Sequence, residues 1–378
     1  MVRCFREDYG NAGSPHEFGL RSKSLVNQAR ERIAQVVNAR RHEVIFTSGA
    51  TESNNLAILG LAEHGTKVGK KHIVSSQVEH KAVLEPLEVL SRRGFEVTLI
   101  PPLRSGAVSS AAILDAIRDD TLLVSLMHGN NETGVLQPIQ EVADGLSSRF
   151  RGNSNSRSDV YFHVDASQTF GKTDSGLSHE RIDLVSISGH KINGPSGIGA
   201  LVARKRGTSS IPISPVIFGG GQELGLRSGT LPVALICGLG LAAQLAAKEQ
   251  RERRLACQQI RQDVLSKLAT LNPTYHGDPS LTMPHVISVS FPDWDAEELI
   301  EELEGIAAVS TGAACTSICA TASHVLSAMH VDPRLLDGAI RISWGHETDR
   351  RKMAQAIDRM IERLASKTRP QELARRVP

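Results

Sequence analysis

Several short apolar runs of this sequence end in polar residues that can do chemistry. The run EVIF is followed by residues 47–52, TSGATE, and a helical pattern then begins at SNNLAILG. Small residues, hydroxyl groups and a helix start together favour an anion site, because backbone N–H groups and the positive end of the helix dipole face the ligand. Phosphate is the anion that this pattern favours. The alternative is an ordinary helix N-cap, in which a Ser or Thr hydroxyl satisfies the first turn.

Four more apolar runs end in side chains of this kind. HIVSSQ is followed by VEH at 78–80, LLVSLMH by GNNE at 129–132, VYFHV by DASQ at 165–168, and DLVSIS by GHK at 189–191. Taken alone, a His at such a position is most often a hydrogen-bonded structural residue, and an Asp is most often a cap. Because an open α/β sheet aligns the carboxyl ends of its strands along one edge, we expect these side chains to converge there.

One cofactor, pyridoxal phosphate, requires every group in this set. It needs a lysine for a Schiff base, a carboxylate at its pyridine nitrogen, a ring to stack on and a site for its phosphate. Asp165 and His80 offer the carboxylate and the ring. Lys191 is the lysine we select, because it lies in the apolar, Gly-rich context SISGHKINGPSGIG while most other lysines lie in charged stretches. A partly desolvated amine is prepared to attack an aldehyde.

The elements that must position these residues form a regular alternation between residues 20 and 245. Runs rich in Val and Ile alternate with helical patterns, which is typical of a mostly parallel sheet flanked by helices. The runs that predict strands are EVIFTSG, KHIVSSQ, FEVTLIPP, TLLVSLMH, VYFHVDA, DLVSISG and IGALVAR. The apolar stretch 233–247 is too short to span a bilayer and predicts a buried helix. We expect an α/β fold with a large domain over residues 1–248 and a smaller α+β domain over residues 249–378.

Composition and charge exclude several other classes of protein. The 378 residues contain 43 Lys plus Arg and 41 Asp plus Glu, a net charge of +2, so direct nucleic-acid binding is not predicted. The start of the chain, MVRCFREDYG, lacks the apolar core of a signal peptide and contains acidic residues that transit peptides avoid. Five cysteines without repeated pairs do not indicate a disulfide framework. We therefore expect a cytoplasmic protein without a membrane anchor.

Seven motifs resemble, in order and spacing, those of pyridoxal-phosphate cysteine desulfurases of the nitrogen-fixation and iron–sulfur-assembly type. They are TSGATESNNLAI, EHKAVLEP, NNETGVLQPI, HVDASQTFGK, SGHKINGPSGIGAL, GGGQELGLRSGTLP and STGAACTS. The resemblance extends from about Gly10 to Trp344. It implies the class-V aminotransferase fold, that is, the type I fold of pyridoxal-phosphate-dependent transferases, and a homodimer. It also implies a sulfurtransferase that converts L-cysteine into L-alanine and leaves a persulfide on one of its own cysteines.

The resemblance assigns a role to each matching position. Lys191 corresponds to the Schiff-base lysine, Asp165 to the partner of the pyridine nitrogen and His80 to the histidine that stacks on the ring. The contacts to the phosphate and the ring oxygen correspond to Ala50, Thr51, Gln168, Ser188 and His190, with Thr230 contributed by the other subunit. Asn131, Arg341 and Asn11 correspond to substrate contacts. Arg341 corresponds to the residue that binds the substrate carboxylate, and a guanidinium suits this role because it can donate two hydrogen bonds to a carboxylate. No metal ligand is assigned.

The cysteine of the GAACTS segment, Cys315, corresponds to the residue that receives the sulfur. Its thiolate must attack the sulfur of the bound substrate and then leave carrying it, and a segment of Ser, Gly, Ala and Thr suits that movement. Cys319 is either a second reactive thiol or a bystander, and we assign structural roles to Cys4, Cys237 and Cys257. The persulfide is expected to supply an acceptor protein for iron–sulfur assembly, transfer-RNA thiolation or DNA phosphorothioation.

The sequence also departs from the family. Family members begin earlier, with a strand and a D-x-x-A-T-T-P loop that we expect this chain to lack, and they end in a longer tail that engages a scaffold protein. The stretch RGNSNSRSD at 151–159 predicts an extra, mobile surface loop. Two other functions stay open: a lyase or aminotransferase of the same fold that acts on another amino acid, and a cofactor-free paralogue that serves as a binding subunit.

Overall fold

A computed structural model describes residues 1–150, 160–173, 176–291, 294–311 and 323–366. Contacts between residues divide the chain into two units. The first unit contains Met1–Pro102, Val108–Asn131 and Leu136–Gln250, and the second contains Leu103–Ala107, Glu132–Val135 and Arg251–Pro378. Two short segments from the N-terminal part of the chain therefore group with its C-terminal part. The loop expected at 151–159, Cys315 and Cys319 lie outside the described residues.

The first unit is built on a seven-stranded sheet, counted over the described residues. Its strands are β1 (Val44–Thr47), β2 (His72–Ser76), β3 (Glu96–Ile100), β4 (Thr121–Met127), β5 (Tyr161–Asp165), β6 (Leu184–Ser188) and β7 (Gly199–Ala203). They lie in the order β1-β7-β6-β5-β4-β2-β3, with β7 antiparallel to both neighbours and the other pairs parallel. All seven predicted strands and the mostly parallel sheet are confirmed. Most of these strands are buried along their whole length, as their apolar composition predicts.

Helices cover this sheet. They are α1 (Val2–Arg6), α2 (Glu17–Val36), α3 (Ala50–Gly60), α4 (Ala62–Val68), α5 (Lys81–Arg92), α6 (Ser110–Asp115), α7 (Ile139–Phe150) and α8 (Val233–Lys248). Leu56 of α3 and Leu87 and Leu90 of α5 are fully buried in one apolar cluster with strand residues. The predicted helix at 233–247 is α8, which packs on α2; a Cβ at Gly240 would lie 2.7 Å from Ala29. None of the described helices is both long and apolar enough to cross a membrane.

The second unit has a smaller sheet and its own core. Its strands are β8 (Thr274–Tyr275), β9 (Val286–Ser290), β10 (Ser310–Thr311) and β11 (Ala339–Ser343), and its helices are α9 (Gln250–Leu268), α10 (Ala296–Glu302), α11 (His324–Ala328), α12 (Pro333–Asp337) and α13 (Arg350–Ser366). The strands lie in the order β10-β11-β9-β8, and each pair is antiparallel. Ile260, Leu299, Ile340 and Met360 belong to one buried cluster. This arrangement agrees with the looser order of elements in the C-terminal sequence.

Candidate active site

The start of α3, where the sequence predicts an anion site, is open. The N-cap of α3 is Gly49, which has no side chain that could cap the helix. The N–H groups of the first helical turn, at Ala50 and Thr51, could therefore bind a ligand. A Cβ at Gly49 would meet no described atom within 4 Å, so the space beside this N-cap is open. A Cβ at Gly199 of β7, in contrast, would lie 2.7 Å from Gly49 Cα. Glycine at this position of β7 therefore lets the helix start approach the strand closely.

Asp165, the last residue of β5, has donors on both carboxylate oxygens. Its Oδ2 accepts a hydrogen bond of 2.7 Å from Asn54 Nδ2 of α3. Its Oδ1 accepts one of 2.9 Å from the backbone N–H of Ser167 and another from the Ser167 hydroxyl. Asp165 is buried, with only 5% of the residue exposed. Asn54 thus ties the expected phosphate site to the expected partner of the pyridine nitrogen.

A neutral histidine lies two residues before Asp165 on the same strand. His163 Nδ1 is 2.9 Å from Ser125 Oγ of β4, and its Nε2 is 2.9 Å from Ser186 Oγ of β6. Burial lowers the pKa of His163 well below its usual value, although the charge of Asp165 opposes that effect. The ring therefore joins three neighbouring strands as an uncharged bridge, and it holds β5 in place beneath Asp165.

Glu79 is a buried acid beside the predicted stacking histidine. Its Oε1 accepts hydrogen bonds from Ser76 Oγ at 2.6 Å and from the backbone N–H of Met127 at 3.0 Å, so it joins the ends of β2 and β4. The pKa of Glu79 is raised to about 8, mainly by burial and also by the charge of Asp165, and the two hydrogen bonds oppose this rise. The half-buried His80 is the N-cap of α5, because its Nδ1 accepts a hydrogen bond of 3.0 Å from the Ala82 N–H. That bond fixes the orientation of the ring.

Lys191 lies in a short 3₁₀ helix, Gly189–Ile192, directly after β6 and is half-buried. The turn is closed by Asn193, which has a left-handed backbone with φ of 62°. Ser188 Oγ is 3.0 Å from Nδ1 of the exposed His190. Burial lowers the pKa of His190, and the positive charges of Lys191 and Lys172 lower it further. A histidine whose ring contacts Ser188 and whose pKa is lowered therefore lies next to the predicted Schiff-base lysine.

The remaining predicted residues of the first unit are half-buried or exposed. Gln168 follows Asp165 in a turn, and Asn131 lies between the bridged residues Gly129 and Leu136; both are half-buried. Thr230 is exposed. Asn11 is also exposed, and it lines a groove together with Gly220 to Leu224.

Two predicted residues belong to other parts of the chain. Arg341 lies in β11 of the second unit and is half-buried. Cys315 lies outside the described residues, and its role stays a prediction. Sequence patterns assigned no role to Asn54 or Glu79. Asn54 lies one helical turn after Ala50, and this spacing in a helix that begins at an anion site is the signal that could have identified it.

Comparison with known proteins identifies the family. The sequence matches the aminotransferase class-V family over residues 1–355. The chain belongs to this family. A protein of Salmonella schwarzengrund (strain CVM19633) named cysteine desulfurase IscS is 42% identical over 352 residues, which cover 93% of this chain and 84% of the relative. The resemblance carried by the seven motifs is therefore confirmed.

Solved structures give the same result for the fold. DndA from Streptomyces lividans is 44% identical with a TM-score of 0.78, and the match covers 91% of this chain and 94% of that one. SspA, solved in complex with cysteine, is 34% identical with a TM-score of 0.76, and the match covers 90% and 92% of the two chains. The fold is the α/β fold of pyridoxal-phosphate-dependent transferases, as predicted.

Pyridoxal phosphate is the cofactor of enzymes of this family, and the described residues fit it. The first unit offers an open helix start for the phosphate, a buried carboxylate with fixed orientation, an imidazole ring with fixed orientation and a lysine after β6. Among the described residues, no group of three or more His, Cys, Asp or Glu is arranged to hold a metal ion. The donor set is thus suited to an organic phosphate with a basic ring nitrogen.

Proposed function

We propose that this protein is a cysteine desulfurase, which releases L-alanine from L-cysteine and transfers the sulfur to an acceptor protein. The observation that supports the proposal is the hydrogen bond between Asn54 and Asp165, which links a buried carboxylate to the helix whose start would bind the phosphate. The two sites lie in a chain that is 42% identical to a cysteine desulfurase over 93% of its length.

The residues of the first unit would hold the cofactor as follows. The N–H groups of Ala50 and Thr51 would bind the phosphate, with Gln168, Ser188 and His190 as further donors; Asp165 would face the ring nitrogen, and His80 would stack on the ring. The amine of Lys191 would hold the aldehyde carbon. When bound, pyridoxal phosphate withdraws electrons from the substrate carbon next to the amine. Asp165 would support that withdrawal, because a negative charge beside the ring nitrogen would favour its protonated form.

The substrate contacts and the sulfur step complete the proposal. Arg341 would bind the substrate carboxylate, and Asn131 and Asn11 would contact the substrate. The Cys315 thiolate would attack the sulfur of L-cysteine, so that a sulfur–sulfur bond forms while the carbon–sulfur bond breaks. The electron pair of the broken bond stays with carbon, which takes up a proton and leaves as L-alanine. The persulfide on Cys315 then passes its outer sulfur to the acceptor.

A homodimer is part of this proposal. Thr230, which is exposed, would complete the phosphate site of the other subunit. Phe218 and Leu224 precede it in the same segment and are 80% and 76% exposed. Large apolar side chains at such exposure are suited to burial against another protein surface. We propose that a second copy of the chain covers them.

We place the protein in the cytoplasm and expect its acceptor to be a protein of iron–sulfur assembly, transfer-RNA thiolation or DNA phosphorothioation. The net charge of +2 provides no strong field for a polyanion. Where a nucleic acid is the final product, the acceptor protein rather than this enzyme would bind it.

The decisive experiment supplies the purified, cofactor-loaded protein with L-cysteine and a thiol reductant, which reduces the persulfide to sulfide, and measures the sulfide and L-alanine that are released. Cys315→Ser should abolish sulfide release and keep the visible absorption of the bound cofactor, whereas Cys237→Ser should leave both unchanged. A lyase or aminotransferase that acts on another amino acid would keep its activity in Cys315→Ser. Visible absorption that is lost in Lys191→Ala and kept in Lys205→Ala, a variant of an exposed lysine, excludes the cofactor-free paralogue.

Subunit mixing tests the dimer. Homodimers of Lys191→Ala and homodimers of Thr230→Ala should both be impaired, because each site lacks one of the two residues. After the two variants are mixed, heterodimers contain one intact site and should regain up to about half of the activity. A monomer in solution, or no recovery after demonstrated exchange of subunits, would contradict the assignment of Thr230.

A further inference from the structure

We propose that Asn54 is a positioning residue, which holds Oδ2 of Asp165 in the orientation that accepts a hydrogen bond from the ring nitrogen of the cofactor. The inference rests on the proposed function, which brings pyridoxal phosphate to this site. It gives a role to a residue to which neither the sequence motifs nor the resemblance to the family assigns one.

The donors around the Asp165 carboxylate leave one acceptor position open. A carboxylate has about four lone-pair positions, two on each oxygen. Oδ1 accepts two hydrogen bonds, one of 2.9 Å from the backbone N–H of Ser167 and one from the Ser167 hydroxyl. Oδ2 accepts one, of 2.7 Å, from Asn54 Nδ2. Within the part of the chain that the structure describes, no other donor bonds to this side chain. The remaining position is therefore on Oδ2, the oxygen that Asn54 holds.

Asn54 reaches Asp165 from a helix whose start is fixed on the sheet. Only 1% of Asn54 is exposed. The preceding residue, Ser53, lies with its Oγ 2.8 Å from Thr47 Oγ1 at the end of β1, and its backbone N–H donates to the Gly49 carbonyl at 3.1 Å. These contacts tie the first turn of α3 to β1. The amide of Asn54 therefore has a fixed position from which it can orient a carboxylate on β5.

The bond to Asp165 is the contact that explains an amide at this position. Asn54 Oδ1 is buried and accepts no hydrogen bond from any described residue. A buried acceptor without a donor costs stability, so an apolar side chain of similar size would suit the packing of the helix better. The reversed amide would place its oxygen against the carboxylate, and only the NH₂ group can donate there. The amide is thus suited to orienting Asp165 rather than to stabilising the helix.

The test compares the binding of two compounds to the apoprotein, pyridoxal phosphate and its deaza analogue, in which a carbon atom replaces the ring nitrogen. Both compounds keep the aldehyde and the phosphate. The ratio of the two dissociation constants, measured by titrating visible absorption, therefore gives the preference for the ring nitrogen. Asn54→Leu keeps most of the side-chain volume, and Asn54→Ala removes it. Both should reduce the preference about tenfold, because the charged acceptor loses its orientation.

Two further variants separate this role from a merely structural one. Ser167→Ala removes a donor from the opposite oxygen and keeps the backbone N–H, so it should reduce the preference by less than about threefold. Gln137→Ala is the control: Gln137 is a buried amide of the same unit, and its Oε1 accepts a hydrogen bond of 2.9 Å from the Val108 N–H. This variant should lower the unfolding temperature and leave the preference unchanged. Equal losses of preference in Asn54→Leu and in either of these variants would overturn the assignment.

A preference within about twofold of the wild type in Asn54→Leu and Asn54→Ala would also overturn the inference, even if both variants bind both compounds more weakly. Weaker binding of both compounds is the effect expected if Asn54 only supports the start of α3. If one of the two variants does not fold, the other decides. A wild-type protein without any preference for the ring nitrogen would contradict the inference as well. A protein that shows the preference but releases no sulfide from L-cysteine would contradict the proposed function alone.

Discussion

Buried polar groups are held in two different ways in the two units of this protein. In the sheet of the first unit, the partners of His163 come from the two neighbouring parallel strands, which gives the Ser125–His163–Ser186 bridge. In the second unit, the buried residues Glu132 and Ser323 come from segments far apart in the sequence, and the Ser323 hydroxyl donates a hydrogen bond to the Glu132 carboxyl group. The first arrangement follows from sheet topology alone, whereas the second requires a specific tertiary contact.

The largest expected effect on activity comes from substitution of Asp165, because this residue is both the predicted partner of the ring nitrogen and the acceptor of local hydrogen bonds. In Asp165→Asn, one oxygen becomes an NH₂ group, which then faces either the Asn54 amide donor or the Ser167 donors. Loss of a charge-assisted hydrogen bond worth about 3 kcal/mol corresponds to a decrease in kcat of about 100-fold. Lys191 is intact, so the visible absorption of the bound cofactor should persist. Steady-state sulfide release measures the effect.

The matched control is another buried carboxylate of the same sheet. Asp183 directly precedes β6 at its opposite end and accepts hydrogen bonds from Arg181 at 2.8 Å and from Arg206 at 2.7 Å. Asp183→Asn should lower the unfolding temperature and leave kcat of the folded, cofactor-loaded protein within about twofold. Equal losses of kcat in the two variants would show that burial, not position at the carboxyl edge, makes Asp165 important.

The next effect belongs to the second unit. Arg341→Lys keeps the positive charge but removes the planar fork that binds a carboxylate through two N–H groups. We expect KM for L-cysteine to rise about tenfold while kcat changes less, because the interaction lost is one of substrate binding. The binding of pyridoxal phosphate to the apoprotein should be unchanged. A variant with weaker cofactor binding and an unchanged KM would remove Arg341 from the substrate site.

The contrast between the units also explains what the sequence could predict. The seven strands could be predicted because their runs of Val and Ile are recognisable without tertiary information. Residues such as Lys191 and Asp165 could be located because they follow those runs. The Asn54–Asp165 hydrogen bond was not predicted, because the pattern of α3 does not specify which of its polar residues faces the sheet. The contact between Glu132 and Ser323 joins positions 191 residues apart, and no periodicity encodes it.

A variant of Glu79 tests whether this buried side chain, which joins the ends of β2 and β4, is protonated in the folded protein. Its pKa is about 8 in the folded protein and 4.5 in an exposed chain, so between these values the folded state keeps a proton that the unfolded state has lost. The stability from this group is complete below pH 4.5, and it falls by about 1.4 kcal/mol per pH unit until the pH passes about 8. Glu79→Gln keeps an oxygen for Ser76 and Met127 and should remove that slope.

Urea unfolding at several pH values between about 5 and 8 measures the slope. The exposed Glu88 serves as the control, because Glu88→Gln should leave the pH dependence of the unfolding free energy unchanged. If Glu79→Gln and the wild type lose stability in parallel as the pH rises, then Glu79 is ionised in the folded protein and does not hold the proton.

The smallest effect concerns the ion pair that connects α3 with the segment containing Thr230. Arg227 Nε donates to Glu52 Oε1 at 2.8 Å, and Arg227 Nη2 donates to Glu52 Oε2 at 3.3 Å. The two side chains are 20% and 11% exposed, so the pair is better shielded than the Arg92–Glu88 pair, at 63% and 60%. Arg227→Gln should lower the unfolding free energy by about 1 kcal/mol, and Arg92→Gln by no more than about 0.5 kcal/mol.

The pH dependence of this small effect separates an ion pair from simple packing. Burial alone would raise the pKa of Glu52, but hydrogen bonds from Arg227 and Ser48 outweigh it and lower the pKa below 4.5. The stabilisation is therefore present above pH 4.5 and is lost as the pH falls through the lower value of the folded protein. The difference in unfolding free energy between Arg227→Gln and the wild type should become smaller over the same pH range. A difference that persists in acid would mean that Arg227 stabilises α3 through its aliphatic stem rather than through its charge.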